Sequence, residues 1–276
     1  MNIKHHYKFR DDEVKIIEFL RSKNIKFKES HHTITVEICE DDIYWDNIKT
    51  LMAQYNIPNI VDVIYSNNEI KNASWFDIRS KWRWEYPQPD NASEYEHTTY
   101  SNDSYCEKCG SGLVQKDYFR IRKEPQWGKK SFLMLNWIED ELFVNNEVAA
   151  ALAKCHINGY ELYDVKNKKA NKTFENIKQL YVKEIISPGL LKINDTIRSE
   201  ITCPLCGTKK YIINGKGFVY KKECFQGVSV DIAKSSEFFG DGCLCARAIL
   251  VSKKFYNAIK ESSLDKDLIF IPLTLI

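Results

Sequence analysis

Cys106-Glu107-Lys108-Cys109-Gly110 and, 97 positions further on, Cys203-Pro204-Leu205-Cys206-Gly207 decide how this chain folds. A Cys-x-x-Cys spacing curls the backbone until both thiolates reach one ion about 2.3 Å away. The glycine that follows each pair permits the positive φ that such a tight knuckle favours. Two knuckles supply four thiolates, a closed tetrahedral zinc site with no open position for water. The expected ligands are Cys106, Cys109, Cys203 and Cys206, holding one structural Zn2+ across the 93 residues that separate the pairs. Such a site contributes on the order of 10 kcal/mol to folding. Free cysteines, or a thioredoxin-like redox pair, are the other readings of these residues. Two pairs, each followed by Gly and neither by a helix-forming run, speak against the redox reading.

Working outward, each knuckle leads through a β-rich stretch into a strand–helix–strand pattern. The first is Leu142–Val144, a helix from Asn146, then a strand over residues 160–165; the second is Ala248–Val251, a helix from Lys253, then a strand over 268–273. At a constant offset of 107, Val144 matches Val251, Asn145 matches Ser252, Val148 matches Phe255 and Leu152 matches Ile259. Asn145 and Ser252 are both good helix N-caps. An internal repeat, roughly 106–165 and 203–273, follows as an expectation, built of zinc-knuckle/βαβ units.

The first 75 residues read as a separate small α/β module. Ile16, Ile17 and Leu20 share one face of a short helix, and Ile34, Val36 and Ile38 alternate along a strand. A second helix is expected from Asp41 or Asp42, presenting Ile48, Leu51, Met52 and Tyr55, before a strand over Ile60–Tyr65. The stretch 76–105, with Pro87 and Pro89, reads as an ordered linker. The expected fold class is therefore α+β: a module at 1–75, then the duplicated zinc-knuckle/βαβ domain at 76–276.

Composition narrows the function classes. The 276 residues carry 40 Lys+Arg against 38 Asp+Glu and are 43% hydrophobic, enough for a sizeable core and against a protein that coats nucleic acid. No apolar run is long enough to span a membrane, and the start MNIKHHYKFRDDEVK lacks the apolar core of a secretory signal, so a cytoplasmic location is expected. Disulfides then do not explain nine cysteines.

The remaining candidates are weaker. Cys224, Cys243 and Cys245 are read as small buried hydrophobes before a second metal site, and Cys155 as core. Asp231, Glu237 and Asp241 tempt a catalytic reading, but the Gly240-Asp241-Gly242 turn accounts for Asp241. Asp164-Val-Lys166 and Glu13-Val-Lys15 match half of a nuclease motif without a matching upstream acid. His5-His6 and His31-His32 read as solvated. No coherent catalytic set emerges, so the chain is not expected to be an enzyme. Trp82, Trp84 and Trp127 beside Lys81, Arg83, Arg120, Arg122 and Lys123 keep nucleic acid open as a partner.

Residues 76–276 resemble bacterial proteins with a double Cys-x-x-Cys-Gly motif. The resemblance rests on the two knuckles, on Trp137-x-x-Asp140-Glu141-Leu142-Phe143-Val144, and on the closing Leu250-Val251-Ser252 with Leu268-Ile269-Phe270-Ile271-Pro272-Leu273. Lys266-Asp267 replaces the usual Gly before the last strand. Some relatives of that kind are immunity proteins that neutralise a polymorphic toxin. The resemblance implies a zinc-binding fold and, as the leading functional expectation, a cognate toxin protein as partner. A zinc ribbon that binds nucleic acid is the alternative.

Overall fold

Residues 1–72 with 214–217 form one unit of the molecule, and residues 73–213 with 218–276 form a second, larger one. The structure is a computed structural model and describes residues 2–91, 94–169, 172–193 and 196–276; the lysine-rich stretch 166–172, KNKKANK, which reads as a loop between the two halves of the repeat, lies partly outside these.

The first unit runs β1 (Asn2–Arg10), α1 (Val14–Ser22), β2 (Phe27–Ser30), β3 (Thr33–Cys39), α2 (Trp45–Gln54), β4 (Asn59–Ile64) and α3 (Asn67–Asn72). Its sheet is ordered β2-β3-β1-β4 with every pairing antiparallel, so two split βαβ units interleave. Ile16, Ile17 and Leu20 of α1 and Ile48 and Met52 of α2 are buried against Ile34, Val36 and Ile38 of β3. Leu51 and Tyr55 are half-buried at the edge of this core. α2 begins at Trp45, later than the aspartates suggest, because Asp42 spends its carboxylate on the amide of Tyr44, two residues on.

Sequence reading misses the short β2 and α3 and also the central strand β1, for which His5 is the reason. Ile3, His5, Tyr7 and Phe9 all point inward, but a histidine in that row hides the alternation. His5 is not solvated: it is buried, stacks on Trp45 with ring centroids 3.9 Å apart, and meets Glu40 at 3.1 Å. His6 is half-buried with Nε2 at 2.9 Å from Asp62, whereas His31 and His32 are exposed.

The second unit opens with β5 (Trp75–Ser80), β6 (Arg83–Trp84), α4 (Glu94–Thr99), β7 (Tyr100–Ser101), β8 (Val114–Gln115) and β9 (Arg120–Ile121). It continues with β10 (Phe132–Leu135), β11 (Leu142–Val144), α5 (Asn146–Lys154), β12 (Glu161–Asn167) and β13 (Thr173–Tyr181). The remainder is β14 (Ile197–Thr202), β15 (Lys209–Ile213), β16 (Val219–Tyr220), β17 (Ile232–Phe239), β18 (Ala246–Ser252), α6 (Lys253–Glu261), β19 (Leu268–Pro272) and β20 (Thr274–Leu275). Two six-stranded sheets result, ordered β6-β10-β11-β13-β12-β9 and β14-β15-β17-β18-β5-β19.

Neither strand–helix–strand pattern closes as a simple βαβ. An antiparallel strand is inserted between its two parallel strands: β13 between β11 and β12, and β5 between β18 and β19. The segment read as a linker therefore begins with a central strand. Trp75, Phe76, Asp77 and Ile78 are all buried, and the charges of Asp77 and Arg79 mask the run. Both expected N-caps form: Asn145 accepts from the Val148 amide at 3.0 Å and Ser252 from the Phe255 amide at 3.2 Å.

Buried polar contacts tie the two sheets. Asp267 accepts from the amides of Ser131 (3.1 Å) and Phe132 at the start of β10, so the residue standing where a Gly was expected is a cross-sheet link. Lys234 of β17 is clamped to Glu141 beside β11, whose other carboxylate oxygen accepts from Gln179 at 2.9 Å.

Candidate metal centre

The first knuckle lies between β7 and β8, the second between β14 and β15, and the same hydrogen bonds shape both. The Cys106 amide donates to Ser111 O (2.8 Å) and the Cys203 amide to Thr208 O (2.9 Å). The amides of Gly110 and Gly207 close onto Cys106 O and Cys203 O at 2.8 and 2.9 Å. Both glycines take positive φ, +78° and +74°. Gly110 is also required sterically, because a Cβ there would stand 1.9 Å from Cys243 O, while Gly207 faces open space.

The knuckles bring Cys106, Cys109, Cys203 and Cys206 together, with all four sulfurs within 4.8 Å of one another. Cys106 and Cys203 are 3.7 Å apart and Cys109 and Cys206 are 3.5 Å apart. A tetrahedron with metal–sulfur bonds of ~2.3 Å has edges of ~3.8 Å, so the donor set fits a tetrathiolate zinc ion in size and chemistry. Three of the cysteines are buried and Cys206 is exposed.

Three neighbours of the knuckles went unnoticed in the sequence. Ser111 Oγ lies 3.1 Å from Cys109 Sγ and 3.5 Å from Cys206 Sγ, and Thr208 Oγ1 lies 3.2 Å from Cys206 Sγ. Hydroxyl hydrogen bonds from Thr208 and Ser111 draw the Cys206 thiol down to about 5, whereas burial pushes Cys106 up to about 11. The signal was legible: each knuckle continues Cys-Gly-Ser or Cys-Gly-Thr. The third neighbour, Lys210, is buried, and its ammonium donates to Cys109 O at 3.1 Å, to Gly242 O and to Leu244 O at 2.9 Å. It pins the loop after β17 against the first knuckle, a placement that nothing local announces.

The other candidates are dispersed. Among the described residues no further group of three metal-ligating side chains forms around Cys224, Cys243 or Cys245. Cys224 is buried in the core and donates to Pro188 O, and burial pushes the half-buried Cys245 up to about 12. Cys243 is exposed and Cys155, which caps the C-terminus of α5, is half-buried; neither is core. Asp231 accepts from Ser252 Oγ (2.7 Å) and Lys254 Nζ (3.1 Å), which fixes the start of α6. Glu237 takes the amides of Gly189 and Leu190 and the hydroxyl of Tyr220. Asp241 accepts from its neighbour's amide within the turn.

The tryptophans pack on one another, Trp82 lying 5.6 Å from Trp84 and 5.3 Å from Trp127 by ring centroids. Trp127 is buried in the core of the first six-stranded sheet. Of the basic residues beside them, Arg83 is paired with Glu139 (2.6 Å), Arg120 with Asp117 (2.8 Å) and Arg122 with Asp90, while Lys81 and Lys123 are exposed. No helix of the described residues is long and apolar enough to cross a membrane. Compared with known proteins, the sequence matches no family model and no curated protein.

Proposed function

We propose that this chain is a zinc-stabilised binding protein of the bacterial cytoplasm whose task is to neutralise a cognate toxin by protein–protein contact, as immunity proteins do. The carrying observation is the four-thiol cluster. Zinc bound there by Cys106, Cys109, Cys203 and Cys206 would be coordinatively closed, so its work is mechanical: it ties together two segments far apart in sequence. A surface held rigid in this way loses little entropy on binding, which favours a tight complex. Leu205 at the tip of the second knuckle is 72% exposed, and Val114 and Ile201 beside the knuckles are also exposed. These side chains offer apolar contact to a partner. The step from binding protein to immunity protein rests on the resemblance carried by the two knuckles and by the stretches at 137–144 and 250–273.

Duplication belongs to the same reading. Strands β10-β11-β13-β12 and β17-β18-β5-β19 share one order and one set of directions, with Val144 and Val251 at matching places. The inserted strands are exchanged: β5 precedes the first knuckle but completes the second sheet, and β13 precedes the second knuckle but completes the first. Two copies of a knuckle–hairpin–helix–strand unit that swap their leading strands account for the pattern.

The test is a pull-down of the tagged chain from its native host, with mass spectrometry and an assay for bound nucleic acid. One stoichiometric toxin-like protein, whose toxicity the chain relieves in cells, supports immunity. Nucleic acid that leaves steeply with rising salt, with no protein partner, sinks it.

A further inference from the structure

The ladder between β18 and β5 is short, pairing Leu250–Ser252 with Trp75–Asp77 and stopping there. Beyond it the strands part around a cleft of about 220 Å3, bounded by Arg79 on one side and by residues 246–249 on the other. Tyr211, Ile213, Phe239 and Leu244 give it apolar walls.

Asp77 lines this cleft and is 1% exposed. One carboxylate oxygen accepts from Arg79 Nη2 at 3.1 Å, and the other, Oδ1, has no hydrogen-bond partner among the described residues. A buried carboxylate left half-satisfied costs stability, and such costs concentrate at binding sites. What it achieves here is to hold Arg79. That side chain is 42% exposed, and among the described residues its guanidinium bonds to Asp77 alone. Of the remaining charges at the cleft, Glu139 is bound to Arg83 at 2.6 Å, and Arg247 donates to the carbonyls of Ser235 (2.7 Å) and Ser236. Asp241 stands on the exposed turn at the rim with its carboxylate on the Gly242 amide.

The geometry points to this cleft as a binding site for a small carboxylate with an apolar body, the carboxylate on the Arg79 fork and the body against Tyr211, Ile213 and Phe239. A guanidinium held in place by a buried acid is pre-organised for bidentate carboxylate recognition. A cationic ligand would meet Arg79 itself, and a purely apolar one would strip water from its donors without replacing those bonds. The volume suits a single ring or a short alkyl chain, since sites for drug-sized ligands run to ~300–1,000 Å3. This site is independent of the zinc centre and of the toxin reading.

The test is isothermal titration of the full chain with phenylacetate, phenylacetamide, benzylamine and N-acetyl-phenylalanine, the last standing for a peptide C-terminus. Phenylacetate or N-acetyl-phenylalanine is expected to bind, and the tighter of the two tells a free acid from a chain terminus. Phenylacetamide should be weaker by about tenfold or more, the cost of losing a charge-assisted fork. Arg79→Gln should abolish binding; because it strands Asp77, the charge-balanced pair Asp77→Asn with Arg79→Gln is measured beside it. Ala246→Phe fills the cleft, leaves the ion pair intact and should also block the acid. The proposal is overturned if the amide matches the acid, if benzylamine binds tighter, if Ala246→Phe binds undiminished, or if no probe binds at millimolar concentration.

Discussion

At the scale of single residues, the knuckles separate two roles that the Cys-x-x-Cys-Gly pattern makes look alike. Gly110 and Gly207 both need positive φ, which costs a non-glycine residue roughly 1–2 kcal/mol. Gly207→Ala should cost about that much. Gly110→Ala adds the collision with Cys243 O and should be far worse, a contrast that thermal melts of the two variants will expose. The hydroxyls of Ser111 and Thr208 touch the sulfurs without being ligands. Ser111→Ala combined with Thr208→Val should therefore weaken zinc affinity by roughly 10–100-fold. Competition against a chromogenic chelator reads that change, while melting in excess zinc should hold. Cys106→Ser or Cys203→Ser should instead end stoichiometric zinc uptake; either variant retaining full zinc and wild-type melting would defeat the shared-site reading.

At the scale of elements, the helix starts and the cross-sheet contacts behave differently under substitution. Asn145→Ala and Ser252→Ala each remove an N-cap worth about 1 kcal/mol. Ser252 also donates to the buried Asp231 at 2.7 Å, a shorter and charge-assisted bond beside that of Asn145 to Lys130 O at 3.4 Å, so its loss should cost more than that of Asn145, as chemical denaturation would show. The Glu141–Lys234 pair bridges β11 and β17 with side chains only 5% and 11% exposed. Burial pushes the Glu141 carboxyl above its usual range, while Lys234 is held protonated by Asp140 and Glu141 against the pull of its own burial. Lys234→Met strands Glu141 and should cost about 3–5 kcal/mol, whereas Lys234→Met with Glu141→Leu should recover much of it. A double-mutant cycle decides, and strict additivity of the two single changes would show the pair to be incidental.

At the scale of the whole molecule, the two units should part company when metal is withdrawn. Zinc held by the four thiols would tie only the second unit, where both knuckles lie, and the first keeps a core built from α1, α2 and its own sheet. Chelation should thus lower the melting transition of residues 73–276 and leave that of residues 1–72 in place. Calorimetry with and without chelator, with proteolytic fragments identified by mass, checks this. A single transition that moves as a whole would mean that the units unfold together.

Local chemistry alone determined several features of this protein. The four clustering cysteines, both N-caps, the helix faces of α1 and α6 and the strand β3 were all legible, because a thiol pair, a capping side chain or a periodic apolar stripe acts within a few residues of itself. What stayed hidden was whatever gains its meaning from a distant segment. His5 reads as polar until Trp45 and Glu40 enclose it, and Asp77 and Arg79 disguise a central strand whose neighbours are about 170 and 190 residues away in sequence. Lys210, Asp267 and the Glu141–Lys234 pair likewise find their partners only once two sheets have formed. Which sheets β5 and β13 complete was beyond reach for the same physical reason: strand pairing is decided by long-range hydrogen bonding and burial, and a strand's own residues do not name the sheet it will complete.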